Sequence, residues 1–345
     1  MKRIFITGIC GFLGSHLAYY FNSLGYKVYG ADNLSRKGSE KNYKLLKKKG
    51  IKIYKIDLSN LKNLDFLKKN IKFTALVHCA ALTSVMDGAN NNSTEFIYKN
   101  NIISTLSSLK ISNFFKTKFI FISSSRVYSI SEIDKLKFKI ANNKFKLKKT
   151  KLKGISQRGI NENFSTTNPL SFYGSSKLIC ENIVQEYCLF NKIPYAINRC
   201  GLLSGKGQLY KNDQGIISYW INSWKKKKKL EYIDFGSKGY QVRDCLHPLD
   251  LGNLIKKQIS FLNKNKLKIK IFNVSGGIES SFSLKELSTW CEKNLCFKKI
   301  GRRKKIRPFD LKWIVLDNFL VRKVFKWKVK FKKYQIFQDI TFNND

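Results

Sequence analysis

A chain of 345 residues with 43% hydrophobic and 14% aromatic side chains can bury a large core, and its four prolines argue further against disorder. No run approaches the roughly 18 consecutive apolar residues of a membrane span, and the opening "MKRIFITG" reads as a strand running into glycine, not as a signal peptide. The formal charge of +43 would suit a polyanion, but lysine is spread from end to end, so a solvated cytoplasmic surface is expected, with no nucleic-acid or membrane partner.

Short β-branched runs alternate with helical patterns through the first two hundred residues, the signature of a doubly wound parallel α/β sheet. The first strand, Arg3 to Thr7, feeds "GICGFLG", in which Gly8 permits a tight turn, Gly11 lets a pyrophosphate approach and Gly14 allows close packing at a helix start. Lys27 to Asp32 follows. Asp32 is placed to accept hydrogen bonds from an adenosine ribose, which favours NAD over NADP, although Arg36 could neutralise a 2′-phosphate. The next helix contains Tyr43 and Lys47, one of about two or three Tyr-x-x-x-Lys pairs that chance would supply. Lys52 to Ile56 ends at Asp57, either an adenine contact or a helix cap.

Ala75 to Cys79 and Phe119 to Ser123 are further strands, the second ending in "SSSRVY". Ser129 to Asn168, rich in Lys and Asn, reads as an irregular excursion leading into "SFYGSSK", which holds Tyr173 and Lys177. Tyr195 to Arg199 closes the first rhythm. Beyond Gly201 come "KIFNVSGG", a helix in "SLKELSTWCEKN" and a basic tail from Lys298. The expected division is a dinucleotide-binding domain over 1–200, with a contribution from about 240–275, and a smaller C-terminal lobe from 201–239 and 276–345. Eight cysteines without a Cys-x-x-Cys pair, beside three histidines, point to buried thiols and no metal site.

Together "TGICGFLG", Asp32, "HCAA" (His78 to Ala81), "NIIST" (Asn101 to Thr105), "SSSRVY" and "YGSSK" resemble the extended short-chain dehydrogenase/reductases, the NAD-dependent epimerases and dehydratases of nucleotide sugars. The resemblance covers nearly the whole chain and implies a Rossmann-type fold with a substrate-binding lobe. "DNLSRKG", "DQG", "QVRDCLHPLDL", "FNVSGG" and "SFSLKEL" are similar to the CDP-paratose 2-epimerase group, which implies a CDP-sugar substrate and a homodimer or homotetramer.

By resemblance, Tyr173 transfers the proton, Lys177 supports it, and Ser124, four residues before Tyr128, orients the sugar hydroxyl. Ionising an ordinary tyrosine near neutral pH takes about 4 kcal/mol, and an ammonium four residues on along a helix lies on the same face. The same likeness implies that Phe12, Leu13, Asn33, Ser35, Leu58, Ala80 and Asn101 join the glycines, Asp32 and Asp57 around NAD. It also implies that Thr83, Ser125, Gln214, Arg199, Arg243 and Arg307 face the substrate, although each arginine could instead be a structural ion-pair residue. His247 reads as structural. Dehydratases of this superfamily carry an acidic pair where this chain has Ser125 and Arg126, so oxidation and re-reduction at one carbon suits it better than elimination. Ser104 and Ser129 stand where the family pattern has glycine.

Overall fold

A computed structural model describes residues 2–62, 65, 67, 71–83, 94–210, 214–264, 268–304 and 307–342. Seven strands form one parallel sheet. In chain order they are β1 (Arg3–Thr7), β2 (Lys27–Asp32), β3 (Lys52–Lys55), β4 (Ala75–His78), β5 (Lys118–Ser124), Tyr195–Cys200 and Ile271–Val274. Their spatial order is 271–274, 195–200, β5, β4, β1, β2, β3, so the chain's path reverses between β1 and β4. That reversal opens a crevice at the carboxyl ends of the strands, where ligands of such sheets bind.

Alternation along each strand builds two cores. Ile4 and Ile6 of β1 and Ile120 and Ile122 of β5 face α1 (Phe12–Ser23) and the helix Pro248–Lys264. Phe5, Phe119 and Phe121 face the other way, toward α3 (Thr94–Phe114) and the helix Phe172–Phe190. Buried on both faces, these strands carry apolar residues at nearly every position.

A second core lies in the later residues. Trp220, Trp224, Phe282, Leu287 and Phe337 bring together the helices Ile216–Lys225, Leu284–Asn294 and Lys333–Phe342. Beside it, Val242–Leu246 pairs with Leu202–Leu203, Ser281–Ser283 and Trp313–Ile314 in a separate sheet. Ser283 and Glu286 form a reciprocal capping box at the start of the helix Leu284–Asn294.

The Ser129 to Asn168 segment is ordered, contrary to the expectation of an irregular excursion. Ser129 caps a short helix, Ile130–Asp134, and Phe138–Ala141 pairs with Lys144–Leu147 in a hairpin whose turn, Asn142–Asn143, has both residues at positive φ. Asparagine tolerates that left-handed region, and the resulting twist matches the flanking strands. Phe145 N donates to Tyr240 O at 3.0 Å and Ser283 Oγ donates to Asn143 O at 2.6 Å, which ties the hairpin to the later residues.

All eight cysteines are free thiols, and Cys296 is exposed. Among the described residues, no helix is long and apolar enough to cross a membrane. The lysine run Lys225 to Lys229 is exposed, as expected.

Burial pushes the Asp244 carboxyl up to about 6, against the opposing hydrogen bonds from Ser275 and from Leu316 N. Because the folded value lies above the ordinary one, Asp244 contributes most stability at acid pH and loses it as pH rises through about 6. Relative to Asp244→Asn, wild-type stability toward denaturant should rise by about 2 kcal/mol between pH 7 and pH 4. A difference that stays flat with pH would refute this assignment.

Candidate active site

The glycine loop is defined by close backbone contact. Gly8 has φ 64°, and a Cβ at Gly14 would lie 2.1 Å from the Gly8 carbonyl oxygen, so only glycine lets α1 start this near the turn. Gly11 begins α1 and no side chain caps it, which leaves the helix N-terminus facing the crevice. Phe12 and Leu13 form its first turn; Leu13 packs on the core, and Phe12 O accepts from His16 Nδ1 at 2.8 Å.

Asp32 joins this loop to the next one. Its carboxylate accepts from Cys10 N and from Leu34 N, each at 2.9 Å, while burial raises its pKa against those bonds. Asn33 accepts from Ser35 and donates to Asp57 Oδ2 at 3.2 Å. Of the two readings for Asp57, the cap is present: it accepts from Ser59 N at 2.8 Å, with Leu58 buried beneath. Burial acts to raise the Asp57 carboxyl, but the hydrogen bonds from Ser59 and Asn33 prevail and hold it below its ordinary value.

On the opposite wall, Ala80 N donates to Thr7 Oγ1 at 3.3 Å, and Ala80 packs so closely on Gly8 that a Cβ there would meet its backbone at 2.8 Å. His78 lies beneath, within hydrogen-bonding distance of Thr7, Thr105 and Ser108; burial, aided by the charge of Lys177, keeps it neutral. Asn101 is buried. Its side chain bonds to Leu82 N, Leu82 O and Ser176 Oγ, so it acts here as a clamp between the Ala80 loop and the helix Phe172–Phe190. Ser104 lies on the same buried face of α3 and donates to Asn101 O.

Gln214 bridges the walls, donating to Thr83 Oγ1 and accepting from Arg36 Nη2 at 2.6 Å. Arg36 thus reaches both Gln214 and the carbonyl of Leu209. Asp213 of the "DQG" motif lies outside the described residues.

The second half of the crevice is the end of β5. Ser124 ends that strand, with half-buried Ser125 next, and the Ser124 side chain accepts from Arg126 N at 3.2 Å. Ser171 caps the helix Phe172–Phe190 and sets Tyr173 and Lys177 one turn apart on its buried face. The Tyr173 phenol lies close enough to Ser124 for that hydroxyl to favour its ionised form. Burial pushes the Tyr173 phenol up to about 12, while the Ser124 bond and the Arg126 charge pull it down. Lys177 is buried, which lowers its pKa, and its ammonium lies 4.1 Å from the centre of the Phe121 ring. The other pair with this spacing is different: in α2 (Ser39–Lys48), Lys47 is exposed and its ammonium sits 5.9 Å from the Tyr43 ring.

The three arginines separate. For Arg199 the ion-pair alternative is the one seen: it is 5% exposed and its guanidinium is taken up by Glu181, at 2.7 Å from Nη2 and 3.0 Å from Nε. Arg243 reaches Asp310 at 2.6 Å, and Arg307 N donates to Asp234 at 3.2 Å. Those two, with Arg126, gather where the later residues meet the end of β5. Neither Asp310 nor Phe309, which accepts from Arg126, was singled out from the sequence; "RPFD" offered only its arginine. His247 is structural, stacked 4.3 Å from Phe331 and 3.2 Å from Asp339.

What the crevice is built to hold is a dinucleotide: the loop admits a pyrophosphate, Asp32 ends the strand beside it, and a tyrosine and serine face each other further along. These features define a dinucleotide-dependent α/β enzyme. The sequence profile described as the NAD dependent epimerase/dehydratase family matches residues 4–274. The chain belongs to that family, and NAD is its cofactor. Among curated relatives, it is 25% identical over 342 residues to the CDP-paratose 2-epimerase of Salmonella typhi, covering 95% of each chain. It is 27% identical to the UDP-glucose 4-epimerase of Dictyostelium discoideum, covering 88% of this chain and 85% of that one. The fold matches the UDP-glucuronic acid 4-epimerase of Bacillus cereus, solved with UDP-glucuronic acid and NAD, at a TM-score of 0.78 and 21% identity over 99% of this chain and 98% of that one.

Proposed function

We propose that this protein is a nucleotide-sugar epimerase of the CDP-paratose 2-epimerase type, inverting one sugar carbon through a keto intermediate. The observation that carries the reading is the set at the carboxyl end of the sheet: Ser124 ends β5, the buried Tyr173 phenol lies within its influence, and Lys177 stands one turn along. A role in binding alone makes no demand for that set.

Tyr173 takes the proton from the reacting sugar hydroxyl and returns it after inversion, and Ser124 orients that hydroxyl. NAD, when bound, supplies a hydride acceptor and later the hydride donor. The glycine loop and Asp32 would hold its pyrophosphate and ribose. Bringing Tyr173 from about 12 to near neutrality takes about 7 kcal/mol. That value already includes the pull of Ser124 and Arg126, so the remainder falls to an ammonium at Lys177 and to the positive charge the bound cofactor would bring. Ser125 and Arg126 supply no carboxyl for eliminating water, which supports epimerisation over dehydration.

The 4-epimerase reading is the rival, because that relative is as similar as the 2-epimerase. NAD-loaded protein incubated with CDP-, UDP-, GDP- and dTDP-sugars and followed by NMR separates the two. Inversion at C2 of a CDP-sugar is the expected result. Inversion at C4 supports the rival, and no inversion with any donor sinks the epimerase reading.

A further inference from the structure

One turn in the later residues holds two arginines from opposite sides of the site. The Phe309 carbonyl accepts from Arg126 Nη1 at 3.0 Å, and the adjacent Asp310 carboxylate accepts from Arg243 Nη2 at 2.6 Å. Asp310 N donates in turn to Arg307 O at 3.2 Å, which closes the turn. Phe309 holds φ at 58°, a left-handed conformation uncommon for a bulky residue, and its ring packs edge-on against Phe172, next to Tyr173. Arg126 is also fixed to the catalytic side. Its backbone N donates to Ser124 Oγ, and its carbonyl lies 2.2 Å from where a Cβ on Gly174 would be, so glycine is what lets the two segments touch.

Resting on the nucleotide-sugar reading, we propose that Arg126 is a positioning and specificity-determining residue that donates to the sugar-proximal phosphate of a nucleoside diphosphate sugar and thereby sets where the sugar lies against Tyr173. Around Arg126 the acting charges are Arg243, Arg307, Asp310 and Tyr173. Three guanidiniums crowd this point, and a diphosphate is an anion that would complement them. Burial first, then Arg243 and Arg307, depress Arg126 to about 10 against the pull of Asp310; this crowding of cations is what a bound dianion relieves. Of the three arginines, Arg126 is the one whose charge acts on Tyr173, while its guanidinium bonds Phe309 beside the Arg243–Asp310 pair, so the phosphate assigned to it is the one bonded to the sugar. Its planar fork suits that contact.

Calorimetry on the NAD-loaded protein with CMP, CDP and UDP tests this. Arg126→Gln should weaken CDP by about 10- to 100-fold while leaving CMP unchanged, because only CDP carries the second phosphate. Arg126→Lys should recover part of the loss. Melting temperature and NAD retention check that each variant is folded, and the lysine variant keeps the charge if the glutamine variant fails to fold. Undiminished CDP binding in Arg126→Gln, or equal loss of CMP and CDP, overturns the role given to Arg126 and leaves the epimerase reading standing. If neither CDP nor UDP binds the wild type, the nucleotide-sugar reading falls and the Arg126 proposal falls with it.

Discussion

Tyr173→Phe should lower turnover by about 10³-fold while leaving the fold and the NAD complement in place. The phenylalanine ring fills the same buried volume, since Tyr173 is 9% exposed, and only the hydroxyl is removed. Ser124 keeps its bond from Arg126 N, so the structural loss is one hydrogen bond, about 1 kcal/mol. The chemical loss is much larger, because the phenol beside Ser124 at the end of β5 is the group assigned to move the proton. In the wild type, turnover should fall on the acid side as the phenol is protonated; the variant should lose that dependence along with the rate. A phenylalanine enzyme retaining more than a tenth of wild-type turnover would show that another group moves the proton.

Arg199→Ala should cost about 3–5 kcal/mol of stability, the largest loss expected of a substitution outside the catalytic set. Glu181 is fully buried and accepts from Arg199 and from Ser123 Oγ, so truncating the arginine strands a carboxylate in the core. The double variant Arg199→Met, Glu181→Leu should regain most of the loss, because paired apolar replacements remove both charges together. Denaturant titration of the single and double variants reads this directly. If Arg199→Ala were as stable as wild type but bound nucleotide sugar poorly, the arginine would face the substrate after all.

The central sheet was largely legible in the sequence. The β-branched runs identified β1 and β2 at their observed ends and the other predicted strands to within a residue or so, because strands buried on both faces are continuous apolar blocks. Gly8, Gly14 and Asp32 could be placed because local spacing around a strand fixes where each one falls, whereas Ser124 and Tyr173 were pointed to by the family resemblance and not by spacing alone. Other features depend on distant partners. Strands of two or three residues such as Leu202–Leu203 and Trp313–Ile314 exist only through pairing with Val242–Leu246. Arg199 lies next to the end of its strand, yet nothing in "AINRCG" reveals that Glu181, on the preceding helix, claims it. The hairpin at 138–147 had a readable signal: Phe138, Ile140, Phe145 and Leu147 alternate with polar residues around Asn142–Asn143, but the lysines obscured the pattern.

The hydrogen bond between Arg126 and Phe309 spans 183 residues of sequence. During synthesis the glycine loop, Asp32, Ser124 and Tyr173 all emerge well before the turn that braces Arg126 and Arg243. Domains tend to fold from the N-terminal side as the chain is made. A nascent chain therefore carries its glycine loop early, yet lacks the brace on Arg126 and Arg243 until residues 307–310 have joined it. The order of translation thus separates the glycine loop from the arginine brace.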